Sequence, residues 1–249
     1  MAAKTRAHAG DEHCVYIPVE ADHVFGVVTE PAGKPSGYDV LLLPGGMYTP
    51  STNRNRMFVN LARELAGYGH RALRIDYRGV GESTGVVGPY ALGDPNPADV
   101  VGATECLATG GRTDLVVVGC CYGARAAMHA LAEGPRLRSM VLMAPPLGDE
   151  ARGDIGDSCD VGGLFLKHAK TLRARGIPTL FVYGAEDSYY RDFLRVRHAS
   201  LEGLFSKDSS LDIRVLPGEL HGLSRVTAQE LFVRTTLDWI SQLATDQHL

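Results

Sequence analysis

One stretch constrains this chain more than any other: Leu115-Val116-Val117-Val118-Gly119-Cys120-Cys121-Tyr122-Gly123-Ala124-Arg125-Ala126-Ala127. The apolar, largely β-branched run at its start predicts a strand buried on both faces, as a parallel sheet requires. The alanine-rich run from Ala124 to Leu131 predicts a helix, with no Gly or Pro before Gly134. Between them lies Gly119-x-Cys121-x-Gly123, the pattern of a sharp strand-to-helix turn that lifts its central side chain above the sheet. The glycines have a steric task, because the central residue is strained and its flanks leave no room for Cβ atoms. Ser usually occupies the centre of such a turn; here it is Cys121. A thiol in that place needs a base, an acid to orient the base, and donors for an oxyanion.

The chain has 249 residues, 45% hydrophobic and 22% charged, which suits a single α/β domain spanning 1–249. A formal charge of −4 offers no attraction to nucleic acid or an anionic membrane, so neither is expected as a partner. Lys4, Arg6 and His8 have no apolar run behind them, and no segment reaches the ~20 apolar residues of a membrane span. A cytoplasmic protein is the expectation. The cysteines (Cys14, Cys106, Cys120, Cys121 and Cys159) are odd in number and lack CxxC spacing, so no disulfide framework or metal site is expected. Cys14, Cys106 and Cys120 read as small buried hydrophobes.

Taken in order, 13–19 and 23–28 predict an antiparallel hairpin at the sheet edge, turning at Glu20-Ala21-Asp22. Further strands are predicted over 38–43, 71–77, 139–143, 178–183 and 211–216. Helices are predicted over 55–65, 95–107, 164–173, 190–198 and 227–243, the last holding Trp239. From Tyr38 onward strands alternate with helices. That pattern predicts an α/β fold with a mainly parallel, doubly wound sheet and an antiparallel N-terminal edge. The polar, glycine-bearing segment around 148–176 is the place for a small lid.

In a doubly wound sheet, ligand-facing residues sit past the carboxyl ends of strands. Asp187, after the 178–183 strand, is the candidate acid, preferred to its neighbour Glu186. His221, in the glycine-flanked loop after the last strand, is the candidate base. The order nucleophile, acid, histidine is that of α/β-hydrolases. His8 and His248 lie near the ends, His129, His168 and His198 fall in predicted helices, and His70 precedes its strand. Oxyanion donors are expected from the N–H of Tyr122, at the amino end of the following helix, and from Gly46 or Met47, with Gly46 preferred. Tyr48, Tyr122, Tyr189, Tyr190 and Leu223 are candidate pocket lining for substrate.

The residues Pro44-Gly45-Gly46, Arg74-Ile75-Asp76-Tyr77-Arg78-Gly79-Val80-Gly81-Glu82-Ser83, Gly119-Cys120-Cys121-Tyr122-Gly123, Gly184-Ala185-Glu186-Asp187 and His221-Gly222 resemble the α/β-hydrolase superfamily in content and order. The Asp-x-Arg-Gly-x-Gly-x-Ser run is similar to that of serine aminopeptidase and lysophospholipase-like hydrolases. Asn55-Arg56-Met57-Phe58-Val59-Asn60-Leu61-Ala62 looks like the hydrolases found near exosortase systems. The cysteine elbow resembles dienelactone hydrolases, which pair Cys with Asp and His. Pro44 stands where many relatives carry His before the oxyanion glycine.

The resemblance implies a cofactor-independent acyl hydrolase acting on a thioester, ester or lactone through a covalent acyl-enzyme, with catalytic residues Cys121, Asp187 and His221. An acyl thioester also reacts with amines, alcohols and thiols, so an acyltransferase or cyclase acting on carrier-bound chains is an alternative, as is an inactive ligand-binding protein. Lys167, Lys170, Arg173 and Arg175 give one helix a basic side that could meet the phosphates of coenzyme A or a carrier-protein arm, or simply be solvated. Gly79-Val80-Gly81-Glu82-Ser83-Thr84-Gly85 superficially suggests a dinucleotide loop, but its third glycine falls one place late and no helical period follows.

Overall fold

In the computed structural model, residues 10–245 are described apart from 47, 89–90, 110, 112–113, 133, 135–136, 150–160, 197–200, 202 and 207–208. Strands β1 (Glu12–Val19) and β2 (Asp22–Thr29) form the expected hairpin, with Glu20 taking the positive φ its turn requires. There follow β3 (Asp39–Leu43), α1 (Met57–Gly67), β4 (Arg71–Ile75), α2 (Pro97–Ala108), β5 (Leu115–Cys120) and α3 (Tyr122–Leu131). The rest is β6 (Leu137–Met143), α4 (Gly163–Ala174), β7 (Thr179–Gly184), α5 (Ser188–Val196), β8 (Leu211–Leu216) and α6 (Val226–Thr245).

These strands make one sheet in the order β1-β2-β4-β3-β5-β6-β7-β8, antiparallel through β1, β2 and β4 and parallel from β4 onward. β3, β5 and β7 are buried at every position, as their mostly apolar sequences demand. Each aliphatic side chain buried there contributes about 1.5–3 kcal/mol. The chain steps outward from β3 to β4, then crosses back to β5 on the other side of β3. That reversal opens a crevice past the carboxyl ends of β3 and β5, where ligands settle in such sheets.

Two expected boundaries move for local reasons. β4 stops at Ile75 because the Asp76 carboxylate turns the chain, accepting from the N–H groups of Ser51 (2.5 Å) and Glu82 (3.1 Å). α1 begins at Met57 rather than at residue 55, since Asn53, Asn55 and Arg56 all have positive φ. Asn tolerates that region, and Asn53 Oδ1 accepts from the Arg54 N–H at 2.6 Å. Of the expected lid region 148–176, residues 163–174 are α4, whose Phe165, Ala169 and Leu172 are buried against the body. That half is a crossover helix, and 150–160 lie outside the described residues.

Candidate active site

Register decides which loops meet. Leu43 pairs with Gly119, so the Pro44-Gly45-Gly46 loop leaves the sheet beside the turn that carries Cys121. Gly184 pairs with Leu216, so the loop bearing Asp187 runs beside the loop bearing His221.

Cys121 sits at φ 45°, ψ −109°, a region foreign to non-glycine residues, between the end of β5 and the start of α3. Its N–H donates to the Met143 carbonyl at 2.7 Å, which anchors the strained residue to β6. The flanking glycines are sterically required. A Cβ on Gly119 would lie 2.6 Å from the Gly123 carbonyl oxygen, and one on Gly123 would lie 2.5 Å from that of Leu43. Real Cβ atoms essentially never come within 3.0 Å of a backbone atom in this way. Gly123 therefore lets the loop after β3 cross the first turn of α3.

Cys121 Sγ lies 3.4 Å from His221 Nε2, within hydrogen-bonding reach for sulfur. His221 is partly buried, and burial pushes its pKa below the usual 6.5, against the opposing negative charges of Asp187 and Glu219. The neighbouring Cys120 is fully buried, and burial pushes its thiol well above the ordinary range. It is a core side chain, as expected.

Asp187 is fully buried while Glu186 is exposed, so the acid facing the histidine loop is Asp187. Its Oδ1 accepts from the backbone N–H groups of Leu220 and His221, both at 2.8 Å, and its Oδ2 from that of Gly184 at 2.6 Å. The Glu186 N–H donates to the Gly218 carbonyl at 3.1 Å, tying the same two loops again. A Cβ on Gly184 would fall on that carbonyl, so this glycine permits the approach. The sequence signal for it is Gly184 at a strand end facing Pro217-Gly218 at another.

Tyr189, in the first turn of α5, sets its ring edgewise to the His221 imidazole, centroids 4.5 Å apart. Tyr190 does not join them. It packs with Tyr183 and Phe193 and, with Phe205, Leu211 and Ile213, lines a separate cleft of about 610 Å³ beside β8. Adjacent helical residues point about 100° apart, and Tyr189 takes the side facing His221. Leu223 is buried at φ 48° and closes the turn after His221-Gly222, its N–H donating to the Leu220 carbonyl at 2.9 Å. Tyr48 is exposed, and Met47 lies outside the described residues.

The Tyr122 N–H, expected to receive an oxyanion, donates to the Gly45 carbonyl at 3.1 Å. The Tyr122 ring packs edgewise on that of Tyr77, centroids 5.5 Å apart. The Gly46 carbonyl accepts from the Thr49 N–H at 2.8 Å. Asp76, Arg78 and Ser83 serve the loop after β4: Ser83 Oγ donates to the Asp76 carbonyl at 2.7 Å, and Arg78 Nε donates to Asp99 at 2.6 Å.

Arg125 escaped the sequence reading. One turn into α3, it is buried, and its guanidinium donates to the carbonyls of Leu92, Pro146 and Gly148 and to Asp149 Oδ1 at 2.5 Å. Asp149 in turn accepts from the Leu164 N–H at the start of α4, 2.9 Å away. A lone Arg in an alanine-rich helix gives no hint of this.

A strained residue at a strand-to-helix turn, with an imidazole beside it and a buried carboxylate behind that, on this sheet order, defines the class of hydrolases built on a doubly wound sheet. The sequence profile of the alpha/beta hydrolase family matches residues 40–249. The chain belongs to the alpha/beta hydrolase family and is a hydrolase. No curated protein sequence matches it. Solved structures similar in fold include an esterase of Pyrococcus furiosus, with TM-score 0.65 and 18% identity over 93% of this chain and 91% of that one. A dienelactone hydrolase of Anabaena variabilis gives TM-score 0.66 and 18% identity, covering 93% and 97% of the two chains. The alpha/beta hydrolase GrgF of Penicillium sp. sh18 gives 0.66 and 15%, covering 93% and 98%. Among the described residues, no helix is long and apolar enough to cross a membrane.

Proposed function

We propose that the chain hydrolyses an ester, thioester or lactone through a covalent acyl-enzyme on Cys121. The observation that carries the reading is the 3.4 Å contact between Cys121 Sγ and His221 Nε2, made from the strained elbow conformation. That pairing gives a thiol proton somewhere to go as sulfur attacks. The dienelactone hydrolase and esterase among the structures of similar fold agree with a small acyl substrate.

In the first half-reaction Cys121 Sγ bonds to the carbonyl carbon, its proton passes to His221 Nε2, and the carbonyl π electrons move to oxygen. Collapse of that oxyanion re-forms the carbonyl and breaks the bond to the leaving group, which takes the proton from His221. The product is an acyl thioester on Cys121. In the second, His221 removes a proton from water as it attacks the thioester, and the departing sulfur recovers that proton. Asp187 secures the loop that positions His221 and sets a negative charge near the imidazolium formed in each half. No metal or organic cofactor takes part in these steps. The same thioester is open to other nucleophiles, and a substrate bound to coenzyme A or a carrier protein is compatible with the basic residues of α4.

The test is turnover of a short-chain aryl ester and of an acyl thioester by Cys121→Ala. Loss of all turnover above background, with an unchanged fold by circular dichroism, is expected; retained activity excludes Cys121 as the nucleophile. Running the thioester assay with added amine, alcohol and thiol acceptors separates hydrolysis from transfer, since a transferase forms the new acyl product at the expense of free acid.

A further inference from the structure

The Tyr122 N–H is the donor best placed for an oxyanion on a substrate attacked by Cys121, and it is already used. It donates to the Gly45 carbonyl at 3.1 Å. A backbone amide has one hydrogen to give, so this bond and an oxyanion compete for it. The orientation of the Gly45 carbonyl also determines the other side of its peptide: with the oxygen aimed at Tyr122, the Gly46 N–H is aimed away. Both expected donors are withdrawn by the orientation of a single peptide plane.

Resting on the assignment of Cys121 as nucleophile, we infer that the Gly45–Gly46 peptide is a latch on the oxyanion hole, closed in this structure, and that a carbonyl substrate is processed only when the plane turns over. Turning it releases the Tyr122 N–H and points the Gly46 N–H at the same spot, so one rotation assembles both donors. The motion resembles the interconversion of type I and type II turns, which carries φ of the second residue from negative to positive. Gly46 is not among the positive-φ glycines here, so it has that transition available. Glycine makes it without steric penalty, whereas any L-residue with a Cβ resists. The resting bond keeps the amino end of α3 satisfied without substrate, which is where helix N–H groups otherwise lack partners. It also discriminates: a ligand whose carbonyl cannot displace that of Gly45 occupies the crevice without reacting.

Two variants test the latch in solution. A Cβ at Gly46 would meet Thr49 Oγ1 at 2.8 Å, so Gly46→Ala is made in a Thr49→Ala background, with Thr49→Ala alone as reference. The expected result is kcat lower by roughly ten-fold or more, from the cost of a left-handed alanine. The rate of Cys121 alkylation by iodoacetamide, which develops no oxyanion, should stay within about two-fold of the reference. Equal kcat in the two proteins overturns the latch.

The decisive experiment is a crystal structure of the intact protein treated with a methyl trifluoromethyl ketone. The Cys121 sulfur adds to its carbonyl carbon, the π electrons move to oxygen, and the thiol proton moves to His221. The expected adduct has its oxyanion on the N–H groups of Tyr122 and Gly46, with Gly46 at positive φ. An adduct on Cys121 with the Gly45 carbonyl still bonded to Tyr122 overturns the latch and leaves the nucleophile assignment standing. Failure of Cys121 to form the adduct, read by mass spectrometry, overturns both.

Discussion

Asp187 and His221 meet through the backbone: the Asp187 Oδ1 accepts the N–H of His221 itself at 2.8 Å, beside that of Leu220 at the same distance. The carboxylate is a structural clamp on the histidine loop as well as a charge near the ring. Asp187→Asn removes one acceptor oxygen and sets an NH₂ group against backbone donors. It should lower stability by about 1–3 kcal/mol, the cost of a buried unsatisfied group. Activity should fall by at least about 10²-fold. Urea denaturation and turnover measured on one preparation check both; unaltered stability contradicts the clamp.

Burial holds the His221 pKa below 6.5, while Asp187 and Glu219 oppose the shift. The imidazole is thus a free base further into acid than an exposed histidine, and the acid limb of kcat/KM should lie below pH 6.5. Glu219→Gln removes a charge that favours the protonated ring, so its limb should move to still lower pH. Because Glu219 is exposed, that movement should shrink in high salt. For stability the sign is the same: the unfolded chain takes the proton first, so stability falls as pH drops below about 6.5. A limb at or above pH 7 contradicts the downward shift that burial imposes on His221.

Gly123 lies under the Leu43 and Pro44 carbonyls, where a Cβ would come within 2.5 and 2.6 Å of their oxygens. Backbone on both sides leaves nothing flexible to yield. Gly123→Ala should cost roughly 1–3 kcal/mol or more. It should also push the Pro44–Gly46 loop off the elbow, slowing turnover more than Cys121 alkylation. A variant with wild-type stability and kcat shows that the loop does not cross α3 there.

Arg125 gathers the carbonyls of Leu92, Pro146 and Gly148 with the Asp149 carboxylate, drawing the segments before α2 and after β6 onto α3. Arg125→Met leaves those acceptors unanswered and should lower stability by roughly 3–5 kcal/mol, the cost of breaking a buried pair by removing one partner. Thermal unfolding against Asp149→Asn, which retains Arg125, measures the share carried by the three carbonyls.

Strands and helices could be read from the sequence because the sheet is buried on both faces: β5 and β7 are apolar at nearly every position, and turn residues bracket them. That Cys121, Asp187 and His221 lie in neighbouring loops was legible for a related reason. Each follows a strand end in chain order, and strand ends are where a parallel sheet gathers its ligand-facing residues. Which of Tyr189 and Tyr190 faces His221 is not legible in residue types, because neighbours on a helix differ by about 100° in direction and the phase of α5 is set by packing of Tyr190 and Phe193 against Tyr183. Arg125 was missed because burying an arginine depends on carbonyls distant in sequence. The bond from Tyr122 to Gly45 leaves no trace in residue types, since the orientation of a peptide plane between two glycines is chosen by the fold.

The most direct measurement is intact-protein and peptide mass spectrometry after brief mixing with an acyl thioester, quenched in acid. An acyl increment confined to Cys121, absent from Cys121→Ala and persisting longer in His221→Ala once formed, is the expected result. An increment on Cys120, or turnover without any increment on Cys121, contradicts a covalent mechanism at the elbow.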